Sequence, residues 1–233
     1  MYAQLNTKTV FSFMDATVKL TDYITAAKTL GYQTLGISDV DNLHAAHQFI
    51  TQAKAAGIQP VIGYETTLLL DGLAINFTFI AKTNAGLQNL YSISSKKNFG
   101  YNNFSDIHSH LCDVALILPA DSAVDSILTH LPQNDVFVGL AQPMAQGFLR
   151  PTIPFLSVRY LNAGDAETLA ILHHVKNGTK YDDSLTSNHF ESLRLESEVR
   201  ALFDQQSLKN LDRLVSEISY DIALDTLALP RFN

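Results

Sequence analysis

The 233-residue sequence predicts an α/β fold in which helices cover a largely parallel sheet, and three features point to it. Two early segments repeat a helix–glycine–strand plan, strand-like runs recur along the chain to a total of seven, and none follows about residue 190. Seven strands with interleaved helices favour a distorted seven-stranded, TIM-like barrel over an open doubly wound sheet, although periodicity alone leaves both open. The expected division is a barrel over 1–190 and a C-terminal helical segment over 191–233.

The repeated units come first. In "VKLTDYITAAKTLGYQTLGISD", apolar positions 23, 26/27 and 30 share a helical face, Gly31 stops the helix, and a strand at 33–38 follows. "DNLHAAHQFITQAKAAGIQPVIGYE" repeats the plan: Leu43, Ala46, Ile50 and Ala53 form the stripe, Gly57 the stop, and a strand follows. Polar caps near Thr21 and Asp41 are expected to open the two helices. Serial units of this kind imply parallel strands buried beneath helices.

Other strands read at 2–7, 58–70, 74–81, 114–118, 136–140 and 153–158. Asp71-Gly72 is a two-residue hairpin signal, so 58–70 and 74–81 should run antiparallel. Helices are expected at 84–95, with Leu87, Leu90/Tyr91 and Ser94 on one face, and near 165–175, from Ala166, Leu169 and His173. Beyond 190, Leu208, Leu211, Val215 and Ile218 continue a helical stripe, and two amphipathic helices should precede the extended "LALPRFN".

Composition narrows the function. The sequence is 46% apolar, as in a globular domain, and carries a formal net charge of −7. A domain that grips a nucleic-acid backbone unaided usually shows the opposite charge balance, so DNA is expected only through another part of a larger machine. The single Cys112 excludes an internal disulfide or a cysteine-rich zinc site and reads as a small buried hydrophobe. No run approaches the ~18 apolar residues of a membrane span, and the start lacks the charged and apolar regions of a signal peptide. The expected location is the cytoplasm, without membrane contact.

Functional groups of a parallel barrel gather at the C-terminal ends of its strands. Here those ends carry Asn6, Thr7, Lys8, Asp15, Asp39, Asp41 and Glu65. Such a grouping can bind hard or borderline metals, and it can equally be a salt-bridged, solvated rim. His108 and His110 read as a short helix or loop, where i and i+2 diverge. His44 and His47 would share a helical face beside the apolar stripe, and adjacent His173 and His174 should point one inward and one outward. The P-loop, dinucleotide-binding, nucleophile-elbow and HExxH motifs are absent.

Read together, "LNTKTVFSFMDA", "TLGISDVDNL", "AAGIQPVIGYE", "FIAKTNAGLQNL", "PFLSVRYLNAGDAE" and "LPRF" resemble one family in order and in spacing, across nearly the whole chain. It is the PHP (polymerase and histidinol phosphatase) domain of bacterial DNA polymerase III alpha subunits, DnaE type. The resemblance implies a distorted seven-stranded barrel and, in metal-binding members, up to three metals at the strand ends that hydrolyse phosphoesters and can support 3'-5' proofreading. "LPRF" is similar to the point where the family passes into the polymerase palm.

The resemblance also assigns the metal-ligand positions. The first-strand His-x-His falls on Asn6 and Lys8, and the following aspartate survives as Asp15. Thr-Asp-His becomes Ser38-Asp39-Val40, and the glutamate survives as Glu65. A later histidine falls on Pro143, and the closing Asp-x-His on Ser157-Val158-Arg159. Several donors are thereby lost, while Lys8 and Arg159 place positive charge where cations would sit. The expectation is a degenerate site with no metal, no cofactor and no catalytic residue, in which Lys8 and Arg159 neutralise Asp15, Glu65 and Asp39. The implied role is structural, within an alpha subunit active in DNA replication. The implied partners are the palm, a proofreading exonuclease or other replisome subunits. The alternative is an active metal-dependent phosphoesterase or 3'-5' exonuclease, and a third reading has Lys8 and Arg159 hold a phosphorylated ligand.

Overall fold

The computed structural model describes residues 2–120, 124–132, 134–144, 147–162, 164–180 and 191–221. Eight strands are present among the described residues: β1 (Asn6–Thr7), β2 (Thr34–Val40), β3 (Gln59–Leu70), β4 (Leu73–Ala81), β5 (Val114–Pro119), β6 (Val136–Leu140), β7 (Thr152–Pro154) and β8 (Ser157–Val158). Six of them make one curled sheet in the order β2-β3-β4-β5-β6-β7, and β1 pairs with β8. The pairings are parallel except β3–β4 and β4–β5.

The ring closes through two devices. The run expected as one strand at 153–158 is broken at Phe155-Leu156, so that β7 pairs with β6 and β8 pairs with β1. On the other side, Gly36 N–H donates to the Gln4 carbonyl at 2.6 Å, and Gln4 bridges Leu35 in parallel. A Cβ on Gly36 would stand 2.8 Å from Leu5 Cα, so glycine alone lets the first strand lie this close. The fold is therefore a distorted α/β barrel with seven strand positions, one of them split. The strand expected at 2–7 is ladder-paired only at its end, because Gln4 makes an isolated bridge.

Eight helices are present among the described residues: α1 (Leu20–Thr29), α2 (Ala46–Ala55), α3 (Asn84–Asn98), α4 (Phe104–Ile107), α5 (Val124–Leu128), α6 (Asp165–Asn177), α7 (Glu196–Leu202) and α8 (Gln205–Ser216). Tyr23 and Ala27 of α1, Phe49, Ile50 and Ala53 of α2, and Leu87, Leu90 and Ile93 of α3 enter one continuous core with the strands. Val199, Phe203, Leu211 and Leu214 from α7, its C-terminal end and α8 join the same core. At Asp71 (φ +50°) and Gly72 (φ +81°) both backbones are left-handed, which gives the expected tight hairpin and the antiparallel pair.

Several local expectations are corrected. α1 begins at Leu20 with Lys19 in the capping position, not Thr21. α2 begins at Ala46, because Asp41 sits at φ +55° and its carboxylate accepts from the Thr66 hydroxyl at 2.5 Å. Asn42 then forms an Asx turn, its side chain accepting from His44 N–H, so His44 precedes the helix and shares no helical face with His47. Cys112 is exposed, since it follows a 3-10 turn (His108–His110) on the way into β5. The "LALPRFN" segment lies outside the described residues.

Candidate functional site at the barrel mouth

Parallel register brings the singled-out residues together. β8 lies beside β1 with Asn6 opposite Ser157, and β2 lies beside β3 with Val40 opposite Glu65. Antiparallel β4 sets Thr78 across from Glu65. Because side chains alternate along a strand, Asn6 and Lys8 share a face and meet Ser38 and Glu65.

Lys8 is at the centre of the floor. Its ammonium donates to Asn6 Oδ1 at 2.6 Å, Ser38 Oγ at 3.0 Å and Glu65 Oε2 at 2.6 Å, and the residue is only 1% exposed. An ammonium has three protons, and all three are used. Ser38 Oγ donates in turn to Asn6 Oδ1, and Asn76 and Thr78 of β4 donate to Glu65. Burial pulls the Lys8 pKa down, and the Glu65 carboxylate opposes that pull.

A second ion pair lies at the edge of the mouth. Arg159 Nη1 grips Asp15 Oδ2 and also donates to the Asp15 carbonyl at 3.1 Å, while its Nε lies 3.1 Å from Glu191 Oε1. Helix α6 adds His173 Nε2 at 3.1 Å and Lys176 Nζ at 3.9 Å to Asp15 Oδ1. His174 turns the other way, to Thr179 Oγ1 at 2.7 Å, so the adjacent histidines diverge as expected.

Asp39 has a different role from the one expected. Among the described residues no cation forms an ion pair with it: it accepts from Thr9 N–H at 2.6 Å, Thr9 Oγ1 at 2.7 Å and Ser12 Oγ at 2.7 Å. Its Coulombic attraction reaches Lys8, but its contacts pin the loop after β1. Val40, the third residue of Ser38-Asp39-Val40, contributes its backbone N–H to Ser12 Oγ at 3.1 Å. Pro143 and Ser157 do not join the ion pairs. They line a neighbouring cleft of about 450 Å³ with Gln142, Leu156, Glu191 and Phe203.

Sequence reasoning missed Thr9, Ser12, His173, Lys176 and Glu191 as parts of this arrangement. Thr9 and Ser12 stand inside the motif-like "NTKTVFSFMDA", whereas α6 and Glu191 arrive by folding and carry no local signal. Among the described residues, no three His, Cys, Asp or Glu side chains are grouped so as to hold a metal ion. What the arrangement offers chemically is a set of closed charge pairs. Lys8 has no donor left for a ligand, which leaves the phosphorylated-ligand reading with Arg159 alone.

Residues 4–117 match the family model of the PHP domain. Over its whole length it is similar to DNA polymerase III subunit alpha. The Streptococcus pyogenes serotype M1 protein is 34% identical over 239 residues, covering 100% of this chain and 23% of that protein. The Staphylococcus epidermidis protein is 29% identical over 249 residues, covering 100% and 22%. The chain thus spans less than a quarter of the length of these relatives. Among solved structures, a two-domain protein from Bacteroides vulgatus containing a predicted PHP-like metal-dependent phosphoesterase aligns with a TM-score of 0.44 and 11% identity, covering 92% of this chain and 68% of that one.

Proposed function

We propose that this chain is the N-terminal PHP domain of a DNA polymerase III alpha subunit, and that the domain is a non-catalytic scaffold whose metal site is degenerate. The observation that carries this reading is the position of the Lys8 ammonium, 2.6 Å from both Asn6 Oδ1 and Glu65 Oε2. A metal needs lone pairs, and these two oxygens already give theirs to the Lys8 ammonium. Arg159 likewise occupies Asp15, and a guanidinium stays protonated at any working pH. The donor set therefore does not fit a multinuclear metal cluster, and no hydrolytic step is assigned to it.

On this reading the polymerase chemistry belongs to polypeptide outside these residues, and DNA is met only through the full alpha subunit. The palm is the first partner, with a proofreading exonuclease or other replisome subunits beyond it. The compartment is the cytoplasm. Consistent with that, no helix among the described residues is long and apolar enough to cross a membrane.

Elemental analysis of the protein purified without chelators tests the degenerate site. The expected result is less than one equivalent of zinc, manganese or iron, and no phosphoesterase or 3'-5' exonuclease activity on added metal. Two or three tightly held metal ions per chain would instead overturn the degenerate site and revive the phosphoesterase or proofreading-nuclease reading.

A further inference from the structure

The loop that follows β1 has an unusual build. Within four residues it exposes Val10 (45%), Phe11 (37%) and Phe13 (75%), while Ser12 between them is completely buried. The backbone is fastened on both sides of Phe13, over 9–12 and at Asp15. Asp39 takes Thr9 N–H, Thr9 Oγ1 and Ser12 Oγ. Val10 N–H donates to Val18 O at 2.9 Å, Ser12 N–H to Thr9 O at 2.8 Å and Asp15 N–H to Ser12 O at 2.9 Å. Asn42 Nδ2 holds the Phe11 carbonyl at 2.9 Å. The aromatic side chains are therefore presented by a preorganised backbone, which lowers the ordering cost of binding.

Charge defines what fits there. Residues 9–14 include no charged side chain, and the flanking Lys8 and Asp15 are both engaged in ion pairs. The surface is neutral and apolar beside a chain of net charge −7, a poor match for a phosphate backbone and a good match for an uncharged apolar protein face. The relatives that match the whole chain carry about three quarters of their length outside the matched stretch.

We infer that the 10–14 loop is a rigid docking knob at the barrel mouth, and that its occupant is an apolar face on the remaining part of the same polymerase polypeptide. This rests on the reading above that the chain belongs to a longer alpha subunit. The Asp39 carboxylate, at a position the PHP resemblance assigns to the metal site, acts here as the knob's anchor.

A photo-crosslinking phenylalanine analogue at Phe13 of the full-length polypeptide tests it, with the same analogue at exposed Phe99 as the comparison site. The expected result is an intramolecular crosslink from position 13 to a residue beyond 233, absent from position 99. A crosslink to a second copy, a crosslink only within the first 233 residues, or none would overturn the docking knob while leaving the polymerase reading intact. A reading frame that ends at Asn233 would instead overturn the polymerase reading, and the knob's occupant with it. As a second measurement, Phe13→Ser should leave the melting temperature of the 233-residue chain within about 1 °C, since a 75% exposed side chain contributes little to its core. The same substitution should increase proteolytic cleavage at domain junctions of the full-length protein at least twofold, and unchanged cleavage would count against the knob.

Discussion

Lys8 Nζ lies 2.6 Å from Glu65 Oε2, with the lysine 1% and the glutamate 12% exposed. This pair links the residue that follows β1 to β3 across the intervening β2, so it ties together strands that do not otherwise hydrogen-bond to each other. Its geometry is favourable because Asn6, Ser38, Asn76 and Thr78 satisfy the remaining polar valences.

Removing one partner strands the other. Lys8→Met should cost about 3–5 kcal/mol, because Glu65 is left charged in a buried position. For a chain of this size that corresponds to a fall in melting temperature on the order of 10 °C. Replacing both residues, as Lys8→Met with Glu65→Leu, should recover at least half of the loss, since no charge is then left unmatched. Calorimetry of the two variants checks this, and a single variant that melts like the parent would mean the pair is solvated and idle.

Asp39 predicts a different phenotype. Asp39→Ala leaves the Thr9 N–H and the Thr9 and Ser12 hydroxyls without their acceptor inside the barrel mouth, which should cost about 3 kcal/mol. The loss should appear in urea as a lower midpoint with an unchanged slope. Local opening should accompany it: the Thr9 amide, bonded to Asp39 in the parent and expected to be protected there, should exchange in the variant at a rate set by loop motion and not by global unfolding.

The difference between Lys8 and Asp39 shows what the sequence made legible. The strand and helix order could be read from helical spacing of apolar residues, from apolar runs and from Gly31, Gly57 and Asp71-Gly72, because these are local properties. That Lys8 and Glu65 would share the rim followed from strand ends converging in a barrel, and that Lys8 would neutralise carboxylates there followed from the PHP resemblance. That Asp39 would choose hydroxyls over a cation did not follow, because the choice depends on how the 9–15 loop folds back over β2. The Asp15 cluster was half legible for the same reason: Arg159 is placed by β8, whereas His173 and Lys176 come from a helix whose packing direction no local pattern gives. The late start of α2 escaped because the polar residues that resembled a cap, Asp41 and Asn42, spend their side chains on Thr66, Phe11 and Val40 instead.

Gly36 offers a test of the closure. Alanine there would put its Cβ 2.8 Å from Leu5 Cα and 2.9 Å from Leu5 O, and neither backbone atom can swing aside as a side chain would. Gly36→Ala should therefore push the first strand outward and weaken the Gly36 N–H bond to Gln4 O, at a cost of about 3 kcal/mol, the upper end for overpacking. Gly31, which precedes β2, has open space around it but φ +88°, so Gly31→Ala should cost about 1–2 kcal/mol from backbone strain. Paired denaturant titrations separate the steric effect from the conformational one, and equal costs for the two variants would refute the close approach.

Alkaline pH should unfold the protein through its tyrosines. Burial raises the pKa of Tyr2, Tyr23, Tyr32 and Tyr220 above the ordinary value of 10.0. Tyr220 is held by its hydroxyl, which donates to Ala81 O at 2.6 Å and accepts from Ile62 N–H at 3.1 Å. A folded-state pKa above the unfolded one means that unfolding releases protons, so the contribution of these residues is complete below about pH 10 and is lost as pH rises beyond it. Lys8 has the opposite sign: its folded-state pKa lies below 10.5, so its contribution grows as pH rises toward 10.5. One lysine does not offset four tyrosines. The melting temperature should hold from about pH 8 to about pH 10 and then fall steeply, with tyrosinate absorbance rising together with the loss of near-UV dichroism. Tyr220→Phe lowers overall stability by removing both hydrogen bonds, yet it should also make the fall above pH 10 shallower, because one fewer proton is released on unfolding. An unchanged slope in that variant would show that Tyr220 ionises freely in the folded chain.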